Sequence, residues 1–456
     1  MDIRRAARIG AWTVAGGAVL AIALYGLLVA INWSDEKPSA DALKLQRIIL
    51  DRPTVADTVN GYVLALGLAA PQAQDPVALG QTRKQFLASL TPSIEQFAVL
   101  PGEDVDYRAS RPEPIHALAN ACKKGDEACL QQLRQNPEQL AKWLASEAWL
   151  LERYRGLVRL QQWEDTIPKG MNAPFPKYHV VLDGQQLLLM EAWQQACDAD
   201  GDAARHLLQQ DLAFWRMVLR STDMLVTKMI AVAAIDRNFS MGNLALRQLH
   251  GAGADATPPD LWNLPMTREE RSMLRPLSGE WAFMASALES LLSPGVDFGQ
   301  LLDANGGDRF MRPMIKLQAT KNLQATRMVR LASGLDVDFR ELPTAIQAMT
   351  RASTMEKGSF HLYNPVGHML DQAGASSDYI GYALRVSDLE GKRRAALLAA
   401  ELRAGSPTTT DPLDRVRSTT LRDPYTHEPF QWDSATRSIV FVGLAQGARS
   451  RHAMPL

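Results

Sequence analysis

Hydrophobic and polar positions follow three different patterns along this chain. The first is a continuous apolar run: no residue from Ile9 to Ser34 is charged, and Ala18 to Ile31 is almost wholly apolar. A helix rises about 1.5 Å per residue, so the 23 residues Ile9 to Ile31 predict a rod of about 34 Å, against a bilayer hydrocarbon core of about 30 Å. The second pattern has helical period. Between residue 40 and about 404, apolar residues recur three and four apart and are interrupted by short Pro, Gly and Asp signals, which predicts a mainly α body. Pro137 opens one long predicted helix with Leu140, Trp143, Leu144, Ala148, Leu151, Tyr154 and Val158 on one stripe. The stretch Asp202 to His250 contains no Pro and predicts one very long helix, or two with a bend near Asp236 to Ser240. Further helices are predicted over Thr267 to Leu292 with a kink or break at Pro276, Asp308 to Ala332, Phe339 to Thr354, and Ser377 to Ala404. The third pattern begins after Gly405. Ser406 to Pro412 reads as a polar linker, and the segments Pro429 to Trp432 and Ser438 to Gly443 predict a short β-hairpin turned near Asp433 to Arg437.

The fold class expected is therefore mainly α: one N-terminal transmembrane helix, an irregular multi-helix domain and a short C-terminal β-hairpin. The divisions fall at 1–8, a cytoplasmic N-terminus; 9–34, the transmembrane helix; 35–168 and 169–404, two helical regions; and 405–456, linker and tail. Arg4, Arg5 and Arg8 precede the apolar run, while Asp35 and Glu36 follow it with only Lys37 in opposition. The positive-inside rule then places the N-terminus in the cytoplasm and the bulk in the periplasm of a bacterial inner membrane. Trp12 and Trp33 sit near the two ends, at headgroup level. A cleaved signal peptide is the rival reading, but its apolar region is about 7–15 residues and ends in a small-x-small site, which Val29-Ala30-Ile31-Asn32-Trp33 does not offer. A buried core helix is the other rival, and the flanking arginines fit it poorly.

Charge and cysteine content narrow the picture. Beyond residue 34 the chain carries 46 Lys plus Arg against 49 Asp plus Glu with no basic block, so nucleic acid is not an expected partner. The segment Cys122-Lys123-Lys124-Gly125-Asp126-Glu127-Ala128-Cys129 reads as helix, Gly stop, Asp cap, helix. Such a turn brings the two sulfurs together, and in an oxidising periplasm Cys122 and Cys129 are the candidate disulfide. Two reduced, buried cysteines are the alternative, and Cys197 is expected to be a small core residue.

Asp423-Pro424-Tyr425-Thr426-His427-Glu428-Pro429-Phe430-Gln431-Trp432, followed by Ile439-Val440-Phe441-Val442-Gly443, resembles the C-terminal tail of type II secretion pseudopilins: Asp-Pro-aromatic-x-Gly-x-Pro, an aromatic shortly after, then an apolar strand ending in Gly. The likeness covers about 20 of the 456 residues and implies an exported bacterial protein with a β-hairpin tail. His427 stands where the pattern has Gly, and no pseudopilin cleavage site precedes the apolar helix.

Candidate chemistry is sparse. The zinc, nucleophile-elbow, Cys-x-x-Cys, P-loop and dinucleotide motifs do not occur, and neither a cofactor nor a metal is expected. The densest polar cluster runs from Gly358 to Asp371; His361, His368 and Asp371 have the side chains for metal binding or acid–base work. The plainer reading is structural: Asn364 caps a helix that Pro365 opens, and His368 and Asp371, three apart, pair on its surface. Met217, Met224, Met229, Met311, Met314 and Met328, with Trp143, Trp149, Trp163, Trp193, Trp215 and Trp281, are expected to fill the core. These features point to a membrane-tethered helical protein, a non-enzymatic scaffold or partner-binding component of the envelope with another envelope protein as its partner. The alternative is a hydrolase-like envelope enzyme whose site is assembled from dispersed residues.

Overall fold

Helices in this protein open where short polar side chains can cap them. Ser39, Asp75, Asp126 and Asp200 each accept a hydrogen bond from a backbone N–H in the first turn of the helix that follows, and Thr267 with Glu270 forms a reciprocal capping box. Pro76, Pro137, Pro365 and Pro412 occupy first helical positions, where no N–H is required. The structure, a computed structural model, describes residues 3–91, 98–170, 172–293, 308–356, 361–374, 378–405, 411–447 and 450–456. The linker residues 406–410 and the start of the polar cluster, 358–360, lie outside the described residues.

Four long helices form the centre: Tyr178–Cys197, Gly201–Ser221, Leu225–Gly251 and Asp378–Ala404. The third is the hub and packs against the other three. Trp215, Leu212, Ala231, Ile235, Leu244 and Leu249 are wholly enclosed there. Shorter helices between Glu113 and Val158 cover one flank, and Ala40–Leu50, Leu274–Leu291 and Leu317–Leu335 form a layer on another. One contiguous apolar cluster runs from Ala42 through to Met454. Trp143, Trp163, Trp193, Trp215, Trp281, Met217, Met224 and Met328 are buried, the interior role expected of them, while Trp149, Met229, Met311 and Met314 are half-buried.

The long periodic stretches break elsewhere than expected. Leu225–Gly251 passes unbroken through Asp236 to Ser240, and the interruption falls at Thr222–Met224. Its cause is a carboxylate from a distant loop: Asp165 accepts from Thr222 Oγ1 at 2.6 Å, from Asp223 N at 2.8 Å and from Thr227 Oγ1 at 3.0 Å. The bond from Asp223 N satisfies a backbone group that a continuing helix would have bonded internally, and the two threonine hydroxyls hold the carboxylate in place. Likewise the helix opened by Pro137 ends at Ser146 and a new one begins at Ala148, divided by Glu147, whose carboxylate takes both Arg111 Nε at 2.5 Å and Nη2 at 2.8 Å. The stretch Thr267 to Leu292 does break, at Ser272–Met273: Arg268–Arg271 ends there and Leu274–Leu291 begins, with Pro276 in its first turn, where the ring excludes a helical carbonyl four residues back at Ser272.

The C-terminal region is a three-stranded antiparallel sheet in the order β1 (Gln431–Asp433), β2 (Ser438–Val442), β3 (Arg451–Pro455). The expected hairpin is present, with Trp432 opposite Ile439, and β3 is an addition, with Met454 also opposite Ile439. The sheet lies against Asp378–Ala404 where Gly391 admits it: a Cβ there would stand 2.1 Å from the Phe441 ring. Asp388 of the same helix accepts from Tyr425 Oη at 2.7 Å, Leu444 N at 2.8 Å and Ala445 N at 3.0 Å, which fixes the tail's position. His427, at the place of the tail pattern's Gly, has φ 61°, the left-handed region that favours glycine.

Candidate functional site

The apolar helix Ile3–Ile31 stands clear of the body for most of its length, with Val14, Val19 and Ile22 each about two-thirds or more exposed (75, 67 and 71 %). It is not a core helix. Its end, by contrast, is tied down. Asn32 is buried; its Nδ2 donates to Leu28 O at 2.8 Å and Leu362 O at 2.9 Å, and its Oδ1 accepts from Asn364 N at 2.6 Å. The Asp35 carboxylate accepts from Gln318 N at 2.8 Å and Ala319 N at 3.0 Å, capping the helix Leu317–Leu335 from a remote part of the chain. Asn322 then clasps the next residues: its Oδ1 accepts from Ser39 N, and its Nδ2 donates to Glu36 Oε2 and Lys37 O, each at 2.9 Å. The stretch 32–39 is thus pinned at Asn32, Asp35, Glu36, Lys37 and Ser39 and is not a loose tether.

The sequence-predicted polar cluster sits at this junction and divides in two. His361 and His368 stack, with ring centroids 3.7 Å apart and planes 7° from parallel. Burial holds His368 below the ordinary histidine range, and repulsion from His361 and Arg327 adds to it while Glu36 opposes. Asp371 does not pair with His368 as expected. Arg327, reaching across from Leu317–Leu335, binds both the carboxylate and the carbonyl of Asp371. A guanidinium offers two directed donors where an imidazole offers one, and the His368 ring is already stacked. Pro365 opens its helix as expected, with His368 N bonded to Asn364 O at 3.0 Å. The Asn364 side chain, however, serves the neighbouring helix: Oδ1 accepts from Lys316 N at 2.8 Å, and Nδ2 donates to Thr320 Oγ1 at 3.0 Å.

Cys122 and Cys129 lie at disulfide distance, S–S 2.14 Å with Cα atoms 4.5 Å apart. The turn between them is built as expected: Gly125 has φ 64°, and Asp126 Oδ1 accepts from Cys129 N at 3.2 Å. Both cysteines are fully enclosed, and Cys129 Sγ lies 3.9 Å from Met241 Sδ of the central bundle. Cys197 is not a core residue. It ends its helix on the exposed side.

Sequence reasoning missed a large charged cluster. Tyr107, Arg108 and Arg111 converge on Asp183 of the Tyr178–Cys197 helix: Tyr107 Oη donates at 2.5 Å, Arg108 Nε at 2.6 Å and Nη2 at 2.7 Å, and Arg111 Nη2 at 3.4 Å. Burial raises the Asp183 carboxyl, but the Arg108 and Tyr107 bonds and the Arg111 charge outweigh it and hold it below the usual carboxylate range. Beside it a hollow of about 300 Å³ is lined by Asp104, Arg108, Lys177 and His179. Its charges are committed to one another: Asp104 lies 2.9 Å from both Arg83 and Lys177, and Arg108 is bidentate on Asp183. Only the Arg108-x-x-Arg111 spacing hints at this cluster in the sequence, and such spacing is common on any charged surface.

Two further perturbed groups are enclosed and structural. Lys228 donates to Leu219 O at 2.7 Å and Glu270 O at 2.9 Å, and burial pushes its ammonium down to about 7 against the pull of Glu270. Burial pushes the Asp211 carboxyl up to about 6, although Tyr154 Oη (2.6 Å), Gln185 Nε2 (3.0 Å) and Asn238 Nδ2 (2.9 Å) all donate to it. No known protein family, no curated protein and no solved structure matches this chain. Its own geometry therefore carries the functional reading.

Proposed function

We propose that this protein is a membrane-tethered, non-enzymatic scaffold of the bacterial envelope, which holds another envelope protein at a set height and angle over the inner membrane. The apolar helix crosses the bilayer with its N-terminus in the cytoplasm, and the helical body lies in the periplasm. One observation carries this reading: the anchor's exit, Asn32 to Ser39, is clasped by Asn322, Asn364 and the start of Leu317–Leu335. A tether that only retains an enzyme near a membrane has no need of such clasping, whereas a scaffold must transmit orientation from membrane to partner. Three features support the address. The 21 residues Ala11–Ile31, about 32 Å long, suit a hydrocarbon core of about 30 Å; arginines precede them; and the cysteine pair suits an oxidising compartment. The tail's likeness to secretion pseudopilins, with His427 in the left-handed conformation, agrees with an exported protein.

The test is purification of the full chain from detergent-solubilised native membranes after crosslinking in the cell. Scaffolding requires a single polypeptide recovered in fixed stoichiometry, and its recovery should fall when Asn32→Ala and Asn322→Ala together loosen the clasp. A chain that elutes alone overturns the proposal. Alkaline phosphatase fused after Leu456 should be active, and activity of a cytoplasm-dependent reporter there instead would refute the orientation.

A further inference from the structure

The depth of one body segment beside the anchor helix leads a step further, and that step rests on the anchor reading above. Phe310 is 61 % exposed, yet its ring stands edge-on to Tyr25 with centroids 5.7 Å apart, and its carbonyl accepts from the Tyr25 hydroxyl at 3.4 Å. Tyr25 is not at the helix end. It precedes Ile31 by six residues, about 9 Å along the axis. If Ile31 marks the edge of the hydrocarbon, Phe310 lies about 9 Å inside it. Raising the helix until Tyr25 meets the surface leaves only the 17 residues Ile9 to Tyr25, about 25 Å, to cross a core of about 30 Å. That placement also puts Leu27, Leu28, Val29 and Ile31 into water, so the deeper one is favoured.

The neighbouring surface fits the same depth. Trp33 is 85 % exposed and Leu362 54 % exposed, and the Leu362 carbonyl is bonded to Asn32 at the helix exit, 2.9 Å from its Nδ2. An indole at the span's end suits the headgroup layer. The short helices Asp308–Met311 and Arg312–Met314 present Phe310 below that layer, within the roughly 5–10 Å that interfacial elements reach. We infer that Asp308–Met314 is a foot inserted into the body-side leaflet next to the anchor, with Phe310 as its deepest side chain. The occupant of this apolar surface is lipid at the headgroup–acyl boundary, and the body meets the membrane at two places.

The foot is testable by nitroxide labelling of the full chain in phosphatidylethanolamine–phosphatidylglycerol vesicles. Cys197→Ser removes the exposed thiol and the paired cysteines remain bonded, so one label is placed at a time by Val19→Cys, Phe310→Cys, Leu362→Cys or Val99→Cys. Collision with a water-soluble nickel chelate and with oxygen then reads depth. Relative to exposed Val99→Cys, the label at 310 should lose most of its nickel collisions and gain oxygen collisions, with 362 intermediate and 19 deepest. If 19 reads as hydrocarbon while 310 and 362 match 99, the anchor stands and the foot is refuted. If 19 also matches 99, the anchor reading fails and the foot with it. A label at 310 shielded from both nickel and oxygen marks a protein neighbour and overturns the lipid assignment. Should Phe310→Cys not purify folded, position 362 alone decides, because nickel access equal to that at 99 overturns the foot.

Discussion

The centre of the body and the lobe at the anchor's exit are built by opposite means. Around Asp211 and Trp215, long helices enclose large side chains completely, and Tyr154, Asn238 and Trp215 bond within the same polar group around the Asp211 carboxylate. At the lobe the separate apolar cluster has, among the described residues, only Leu288, Ile315 and Val366 buried, while Phe310, Leu362 and Met369 stay exposed. What joins the lobe to the anchor's exit is polar: Asn32, Asp35, Asn322 and Asn364. The difference teaches where each kind of force suffices. Apolar burial is non-directional and stabilises a large interior in proportion to area, whereas directed hydrogen bonds can define one angle between two small elements.

The comparison predicts a steep gradient of mutational cost. Trp215→Ala, at the centre, should lower the unfolding free energy by about 3–5 kcal/mol, and Ile315→Ala in the lobe by about 2 kcal/mol. Urea titration of the full chain in detergent measures both, and equal losses would break the contrast. Replacing Cys122 and Cys129 together by Ala should cost about 2–3 kcal/mol. Peptide mapping without reductant should first show the pair linked and Cys197 free, and freely alkylated Cys122 and Cys129 would remove the bond.

Asp211→Asn should cost about 1–3 kcal/mol, since an amide presents its NH₂ to donors that the carboxylate accepted. Asn32→Ala is expected to leave global stability nearly unchanged but to lower the local opening free energy of residues 361–374 by about 1 kcal/mol, read as faster amide exchange there. No change in exchange would mean that the clasp does not hold the lobe.

The smallest effects are those of pH, and they have opposite signs in the two regions. Asp211 is raised to about 6 in the fold. Its contribution is therefore full below the ordinary carboxylate value of about 3.9 and is lost as pH rises through about 6. His368 is depressed, so its contribution is full above the ordinary histidine value of about 6.5 and is lost as pH falls through its lower folded value. Between pH 7 and 5 the lobe should lose exchange protection, corrected for intrinsic rates, and His361→Ala should flatten that loss. The core's gain on acidification should be absent in Asp211→Asn. Lobe protection that rises on acidification would refute the stacked-pair account.

Much of the local structure was legible in the chain itself: helical period over most of its length, the apolar helix at one end, the β-branched and aromatic residues of β1 and β2, and the Gly125-Asp126 turn that sets Cys122 beside Cys129. These depend on neighbours within a few residues, which a linear pattern records. The helix ends at Ser146 and Ser221 were not legible. Glu147 meets Arg111, and Thr222 and the backbone N–H of Asp223 meet Asp165, only after folding. The same holds for Asp183, gathered with Tyr107, Arg108 and Arg111 from far along the chain, and for Asp371, which took Arg327 over the nearer His368. Strand β3 pairs with β2 through backbone groups, so its side chains carry only a faint signal of it. Periodicity is a short-range property and determined which segments are helices. Polar pairing is long-range and directional, and only the tertiary structure decided where helices stop, which charges meet, and how the anchor is joined to the body.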